Sequence, residues 1–145
     1  MMERKKEEAI IISQEQIADG IFSVWLQTEA SVSARPGQFI SMYTNDPSKL
    51  LPRPISICEI DRENRRLRVV YRVTGEKTGT EQFARLGARD TIQIIGPLGN
   101  GFPYEEAKGK KVFLMGGGIG VPPILELARQ MECDKKQIIV GYRDA

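Results

Sequence analysis

"LLPRPISICEIDRENRRLRVVYRV", residues 50–73, decides how this chain folds. Two alternating runs, PISICEID (54–61) and LRVVYRV (67–73), flank a charged turn, RENR. In the second run Leu67, Val69, Tyr71 and Val73 share one face, and Arg68, Val70 and Arg72 share the other. That period of two is the pattern of a strand with one buried side. Working outward, AIIIS (9–13) and IFSVWLQT (21–28) are β-branched runs separated by the turn pair Asp19-Gly20. GQFISMYT (37–44) follows Pro36 and ends at NDPS, and TIQIIGP (91–97) adds one more run. Short strands at near-regular spacing, joined by turn residues, predict a small antiparallel barrel or sandwich.

One helix interrupts the β region. In TGTEQFARLG, Thr78 and Glu81 stand at capping-box spacing and Gly87 suits the residue after the helix. Thr80 is a competing first cap. The pattern changes near residue 110, where KKVFLM reads as a strand, GGGIG as a turn, and VPPILELARQM as an amphipathic helix. Val121, Ile124, Leu125 and Ala128 carry the helical spacing, and QIIVGY (137–142) reads as a second strand of buried type. Strand, glycine turn, helix and strand open a doubly wound nucleotide-binding domain. A single such unit cannot cover both faces of its sheet, so this domain is expected to be incomplete and to leave apolar faces exposed. The predicted fold class is therefore multi-domain α+β. Residues 1–102 form an antiparallel β-barrel, and 103–145 a truncated Rossmann-like α/β nucleotide-binding domain.

Composition narrows the chemistry. With 145 residues, 41% hydrophobic and 28% charged, the chain can bury a proper core. No apolar run is long enough to span a bilayer, and the opening MMERKKEEAI predicts no secretory signal. A net charge of +2 gives no reason to expect nucleic acid or a membrane surface as partner. The chain has no histidine and two cysteines, Cys58 and Cys133, far apart. Ser–His–Asp, Cys–His and His-ligated zinc sites are excluded, as is a four-cysteine iron–sulfur site built from this chain alone. No metal ligands are assigned, and a reduced, cytoplasmic setting is expected.

Two places suit an anion. Arg53 opens the strand 54–61, where its guanidinium can pair with a phosphate and Pro54 fixes the chain direction. An arginine at a strand start is also an ordinary surface residue. Ser56 lies on the face opposite Ile55 and Ile57, its hydroxyl free to donate to a ligand ring; Cys58 shares that face and is given no role. Tyr71 belongs to the apolar alternation, and Arg72 offers a second cation on the other face. Gly79 and Thr80, opening the short helix, could form an anion nest or simply a capped helix end. Further on, Gly116, Gly117, Gly118 and Gly120 would let backbone approach a pyrophosphate at a helix start, although the spacing is not G-x-G-x-x-G.

The order of these motifs, RPIS, VYR, GT, GPLGNGF and GGGIGVPP, resembles the ferredoxin–NADP reductase superfamily. Within it the resemblance is closest to the electron-transfer subunits of NAD-dependent (class 1B) dihydroorotate dehydrogenase, and it runs from about residue 8 to 145. It implies a Greek-key barrel holding FAD, followed by a domain that docks a nicotinamide cofactor. Arg53, Pro54, Ile55 and Ser56 would line the flavin, with Ser56 as the catalytic residue near the isoalloxazine N5. Val70, Tyr71 and Arg72 would form a second contact, and Gly79 with Thr80 would bind the pyrophosphate. Gly116, Gly117, Gly118, Ile119 and Gly120 would lie under the nicotinamide nucleotide. The run YRVTGEKTGT is two residues longer than the family's YRVxGxGT, so Gly75–Thr78 competes with Gly79–Thr80; GTEQF continues the pattern better. The implied activity passes electrons from the FMN of a dihydroorotate-oxidising partner subunit, through a [2Fe–2S] cluster, to FAD and then NAD+, in pyrimidine synthesis. The cluster is expected only in the full-length form, since the family's cysteine-rich segment has no counterpart here. Arg143 would favour NADP and Asp144 NAD, and both are present. The rival readings are a subunit of another flavin-dependent ferredoxin:NAD(P) oxidoreductase or sulfide dehydrogenase complex, and a cofactor-free barrel interaction module.

Overall fold

A computed structural model of the chain describes residues 6–44, 51–73 and 79–141. The alternating runs form β1 (Glu7–Ala18), β2 (Ile21–Gln27), β3 (Phe39–Tyr43), β4 (Arg53–Asp61), β5 (Arg66–Arg72) and β6 (Thr91–Leu98). They close into one barrel in the order β1-β2-β5-β4-β3-β6, every pairing antiparallel. β2 reaches past two strands to pair with β5, and β3 pairs with β6, which gives the Greek-key path. Closure leaves no open sheet edge in the barrel.

Alternate residues fill the interior. Ala9, Ile11, Val24, Leu26, Ile40, Met42, Ile57, Leu67, Val69, Tyr71, Ile92 and Ile94 form one core, each at most 2% exposed. Each large aliphatic side chain so buried contributes roughly 1.5–3 kcal/mol. β4 departs from strict alternation at a bulge: Ile57 pairs with Val69, but Glu59 pairs with Arg68. Ile57 and Cys58 are consecutive and both buried, so the strand is covered on both sides here. Val69 and Val70 repeat the arrangement on β5.

The short helix α1 (Gly79–Ala84) follows β5 and packs Phe83 into the barrel core. Thr80 is therefore inside the helix and is not its cap; Thr78, Glu81's expected capping partner, lies outside the described residues.

Beyond the barrel, β7 (Lys111–Gly117), α2 (Pro122–Gln130) and β8 (Lys135–Gly141) form a parallel strand–helix–strand unit. The connection from β6 is held down by contacts to the segment before β3. Phe102 N–H donates to Pro36 O at 2.8 Å, and Arg35 lies over the Tyr104 ring and pairs with Glu105. Leu114, Ile124 and Leu127 make a small second core. Leu125, expected on the buried stripe, is 38% exposed, whereas Leu127 and Glu126 are buried. The helix is gripped on two sides, by β7 and by β4, and Leu125 faces neither. β8 is also corrected: it is exposed along its whole length, because nothing in the described chain pairs its far edge or covers the sheet face that carries Phe113 and Met115. The exposed apolar sheet expected from a lone βαβ unit is present.

Glycine requirements differ sharply along the chain. Gly20 and Gly37 both have positive φ, 68° and 93°. A Cβ at Gly20 meets nothing within 4 Å, whereas one at Gly37 would sit 2.8 Å from the Phe102 backbone nitrogen. Gly20→Ala should cost about 1–2 kcal/mol from backbone conformation alone. Gly37→Ala should cost about 2–5 kcal/mol, because overpacking against fixed backbone adds to it. Urea unfolding of the two variants checks the difference.

Candidate functional site

The outer walls of β4 and β5, α1 and the glycine turn enclose a cleft of about 340 Å³. Arg53, Pro54, Ile55 and Ser56 line it from β4, Val70, Tyr71 and Arg72 from β5, Thr80 from α1 and Ile119 from the turn. A volume in this range suits one planar ring system rather than a whole dinucleotide.

Arg53 and Gly79 are packed together. A Cβ built on Gly79 would lie 3.3 Å from Arg53 Nε and 3.2 Å from Thr44 Cγ2, so a side chain at this helix start would crowd the arginine. Arg53 Nε is buried with no hydrogen-bond partner. A buried unpaired donor on a cation is costly unless something outside the protein accepts from it. Cation, orphan donor and glycine backbone thus converge at one end of the cleft. Ser56 is exposed within the cleft wall, opposite Phe39 in the β3–β4 ladder.

Tyr71 is a wall rather than a free side chain. Its ring is 1% exposed, stacked on Phe22 at 5.8 Å and edge-on to Phe83 at 6.2 Å. Its hydroxyl donates to Gln14 Oε1 at 2.7 Å, and burial pushes the phenol well above the ordinary tyrosine range. Gln14 in turn donates from Nε2 to Phe83 O at 2.8 Å and Leu86 O at 2.7 Å. One β1 side chain therefore ties the end of α1 and the turn after it to the cleft-lining tyrosine. Sequence reasoning missed Gln14: within a polar stretch of β1 it carries no motif, and its partners are more than fifty residues away.

The glycine run divides into three kinds of position. Gly116 and Gly117 continue β7, pairing with Val140 and Gly141, and only Gly118–Gly120 form the turn. A Cβ at Gly116 would meet Gly120 O and Ile124 Cδ1 at 3.1 Å each, so that glycine serves strand–helix packing. Gly117 and Gly120 face open space. Gly118 has φ +54°, and the nearest atom to its absent Cβ is Arg72 Nη2 at 4.0 Å. Arg72 thus reaches from the barrel to the turn. The anion-binding helix start expected here is also weakened. Pro122 and Pro123 occupy the first helical positions, and the Ile124 N–H already donates to Val121 O at 3.1 Å. Arg143 and Asp144, which bear on the choice between NADP and NAD, and Gly75 and Thr78, the alternative register, lie outside the described residues.

Among the described residues no group of three or more His, Cys, Asp or Glu is placed to hold a metal ion, and no helix is long and apolar enough to cross a membrane.

No family model matches the chain. A dihydroorotate dehydrogenase B (NAD+) electron transfer subunit from Enterococcus faecalis is 45% identical over 145 residues, covering 97% of this chain and 54% of that protein. The subunit of the same name from Listeria welshimeri is 39% identical over 141 residues, covering 95% of this chain and 55% of its own. The chain is a homologue of these subunits. It spans about half the length of the curated relatives it matches. Among solved structures, an NADH-dependent reduced ferredoxin–NADP oxidoreductase superposes with TM-score 0.80 at 28% identity, over 94% of this chain and 49% of that one. A Neisseria gonorrhoeae ferredoxin NADP+ reductase with bound FAD and NADP shares the fold, with TM-score 0.78 at 19% identity over 95% and 58% of the two chains. The architecture is thus that of the ferredoxin reductases.

Tyr71→Phe should cost about 1 kcal/mol, and Gln14→Leu about 2–3 kcal/mol because it strands a hydroxyl and two carbonyls; chemical denaturation measures both. Burial also pushes the Cys58 thiol up from 9.0 to about 11. Its folded value is raised, so its contribution to stability is complete below pH 9.0 and is lost as pH climbs toward about 11. Alkaline unfolding should show that decline, and it should be shallower in Cys58→Ala.

Proposed function

We propose that the chain is the FAD-binding part of an electron-transfer oxidoreductase subunit, with the flavin's diphosphate end at Arg53 and Gly79–Thr80 and its ring in the cleft. The observation that carries this reading is the buried, unpartnered Arg53 Nε beside a glycine whose Cβ would crowd it. Residues and group fit: an orphan cationic donor, a glycine that leaves room beside it, and a cleft of suitable size. Residues 1–102 are read as the flavin barrel, and 103–145 as the start of the nicotinamide-docking domain.

A bound flavin would supply the hydride and single-electron chemistry. The chain's own residues position and tune it. Arg53 offsets diphosphate charge, and the Gly79 and Thr80 backbone adds neutral donors. Ser56 presents a hydroxyl at the ring edge where hydride is exchanged, and Tyr71, locked by Gln14, keeps the wall rigid. Arg72 stands where an incoming nicotinamide dinucleotide would cross from turn to cleft, near Gly118–Gly120.

The relatives' name, an electron transfer subunit of an NAD+-linked dihydroorotate dehydrogenase, supports a wider reading. Electrons would arrive from an FMN-containing dihydroorotate-oxidising catalytic subunit by way of a [2Fe–2S] cluster, for which this chain supplies no ligand set, and leave to NAD+ in the cytoplasm during pyrimidine synthesis. The similarity to an NADH-dependent ferredoxin–NADP oxidoreductase supports a second reading, a subunit of another flavin complex. Copurification with a dihydroorotate-oxidising flavoprotein selects the first.

Reconstituted with FAD, the purified chain should be yellow. Arg53→Ala should weaken FAD binding roughly ten- to hundred-fold, the equivalent of about 1.5–3 kcal/mol for one charge-assisted contact, measured by flavin fluorescence titration. A wild-type chain that takes up no FAD, or an Arg53→Ala chain that binds it equally well, refutes the assignment.

A further inference from the structure

α2 is fastened to the barrel by a continuous polar chain. Arg129 Nη1 donates to Glu59 Oε2 on β4 and to Glu126 Oε2 on its own helix, both at 3.1 Å. Glu59 Oε1 accepts from Arg68 Nη1 on β5 at 2.7 Å, and Arg68 Nε donates to Ser23 Oγ on β2 at 2.7 Å. Gln130 Nε2 completes the chain at Glu126 Oε1, 2.8 Å away. The Glu126 side chain is only 3% exposed, so its charge is held at the seam rather than in solvent.

Arg129 itself is 54% exposed, but two features set this network apart from a lone surface ion pair. Its charges balance, two arginines against two glutamates, and one cationic nitrogen separates carboxylates that would otherwise confront each other across the seam. It also lies on the barrel side of the helix, whereas α2's apolar core, Leu114, Ile124 and Leu127, is shared with β7. Arg129 lies roughly 12 Å along the axis from Val121, at about 1.5 Å per residue. Val121 follows the turn whose Ile119 lines the cleft.

We infer that Arg129 is a positioning residue: by bridging Glu59 and Glu126 it clamps α2 to β4 and holds the Gly118–Gly120 turn at a fixed height over the cleft. Its consequence for electron transfer, a set distance between a docked nicotinamide and the flavin, rests on the flavin reading of the cleft. The clamp itself does not.

Hydrogen exchange on the chain without added cofactor tests the clamp. Arg129→Met keeps the apolar stem but leaves the carboxylates facing each other, and it should speed exchange of the turn's hydrogen-bonded Val121 amide about tenfold while β2 and β5 stay unchanged. Arg129→Lys should restore most of the protection, because both bonds come from a single nitrogen that an ammonium can replace. Glu59→Gln should give a smaller rise at the same amide. FAD affinity, measured in parallel, should stay within about twofold of wild type in all three, since the clamp touches no cleft residue. Exchange at Val121 that is unchanged in Arg129→Met, or raised equally across the chain, overturns the clamp, as does a lysine variant no better than methionine. Failure of the flavin reading shows separately, as a wild-type chain that binds no FAD.

Discussion

The packing of β4 governs the whole molecule. A closed barrel normally buries its interior and leaves its outer wall to water, so a strand needs apolar residues only at every second position. β4 breaks this economy. Its first residues, Arg53 to Ser56, form one wall of the cleft; then the bulge at Cys58 sends Ile57 inward and Cys58 outward under cover. Glu59 follows at once and holds Arg129. Site and inter-part seam are thus built on adjacent residues of one strand.

Gln14 adds the second constraint. α1 has only six residues, too short to be stable by itself, and Phe83 alone anchors it apolarly in the core. The carboxamide of Gln14 accepts from Tyr71 and donates to two carbonyls at the helix's far end. Arg53 and Gly79 can stay in contact because the opposite end of the helix is moored in this way. The raised Tyr71 phenol belongs to the same arrangement: it keeps its proton, and so remains the donor the amide needs.

The barrel strands, the β7–α2–β8 unit and the residues that meet in the cleft were legible because each rests on short-range signals: period-two alternation, turn dipeptides, and motifs whose order along the chain is fixed. What escaped was long-range. Gln14 reads as one polar residue in a polar stretch, and Glu126 as a solvated helix position, since neither pattern reveals the strand that lies opposite. Leu125 misled for the same reason. Helical spacing identifies an apolar stripe, but α2 is held from two directions, and the second one, β4, buries a glutamate instead of a leucine.

The glycine turn shows how a motif can be present while its usual physics is altered. A dinucleotide fingerprint depends on amides at a helix start, yet prolines fill the first positions of α2 and the next amide is already bonded. A turn of this kind can offer close approach but little compensation for negative charge. The cation that would otherwise be missing comes from the barrel, where Arg72 reaches to within 4.0 Å of the absent Cβ of Gly118. On the flavin reading, phosphate charge would be met by the barrel arginines that line the cleft, Arg53 and Arg72, and the turn would contribute shape. That division makes the relative placement of the two parts a determinant of binding in its own right, because the cation and the surface it serves belong to different ones.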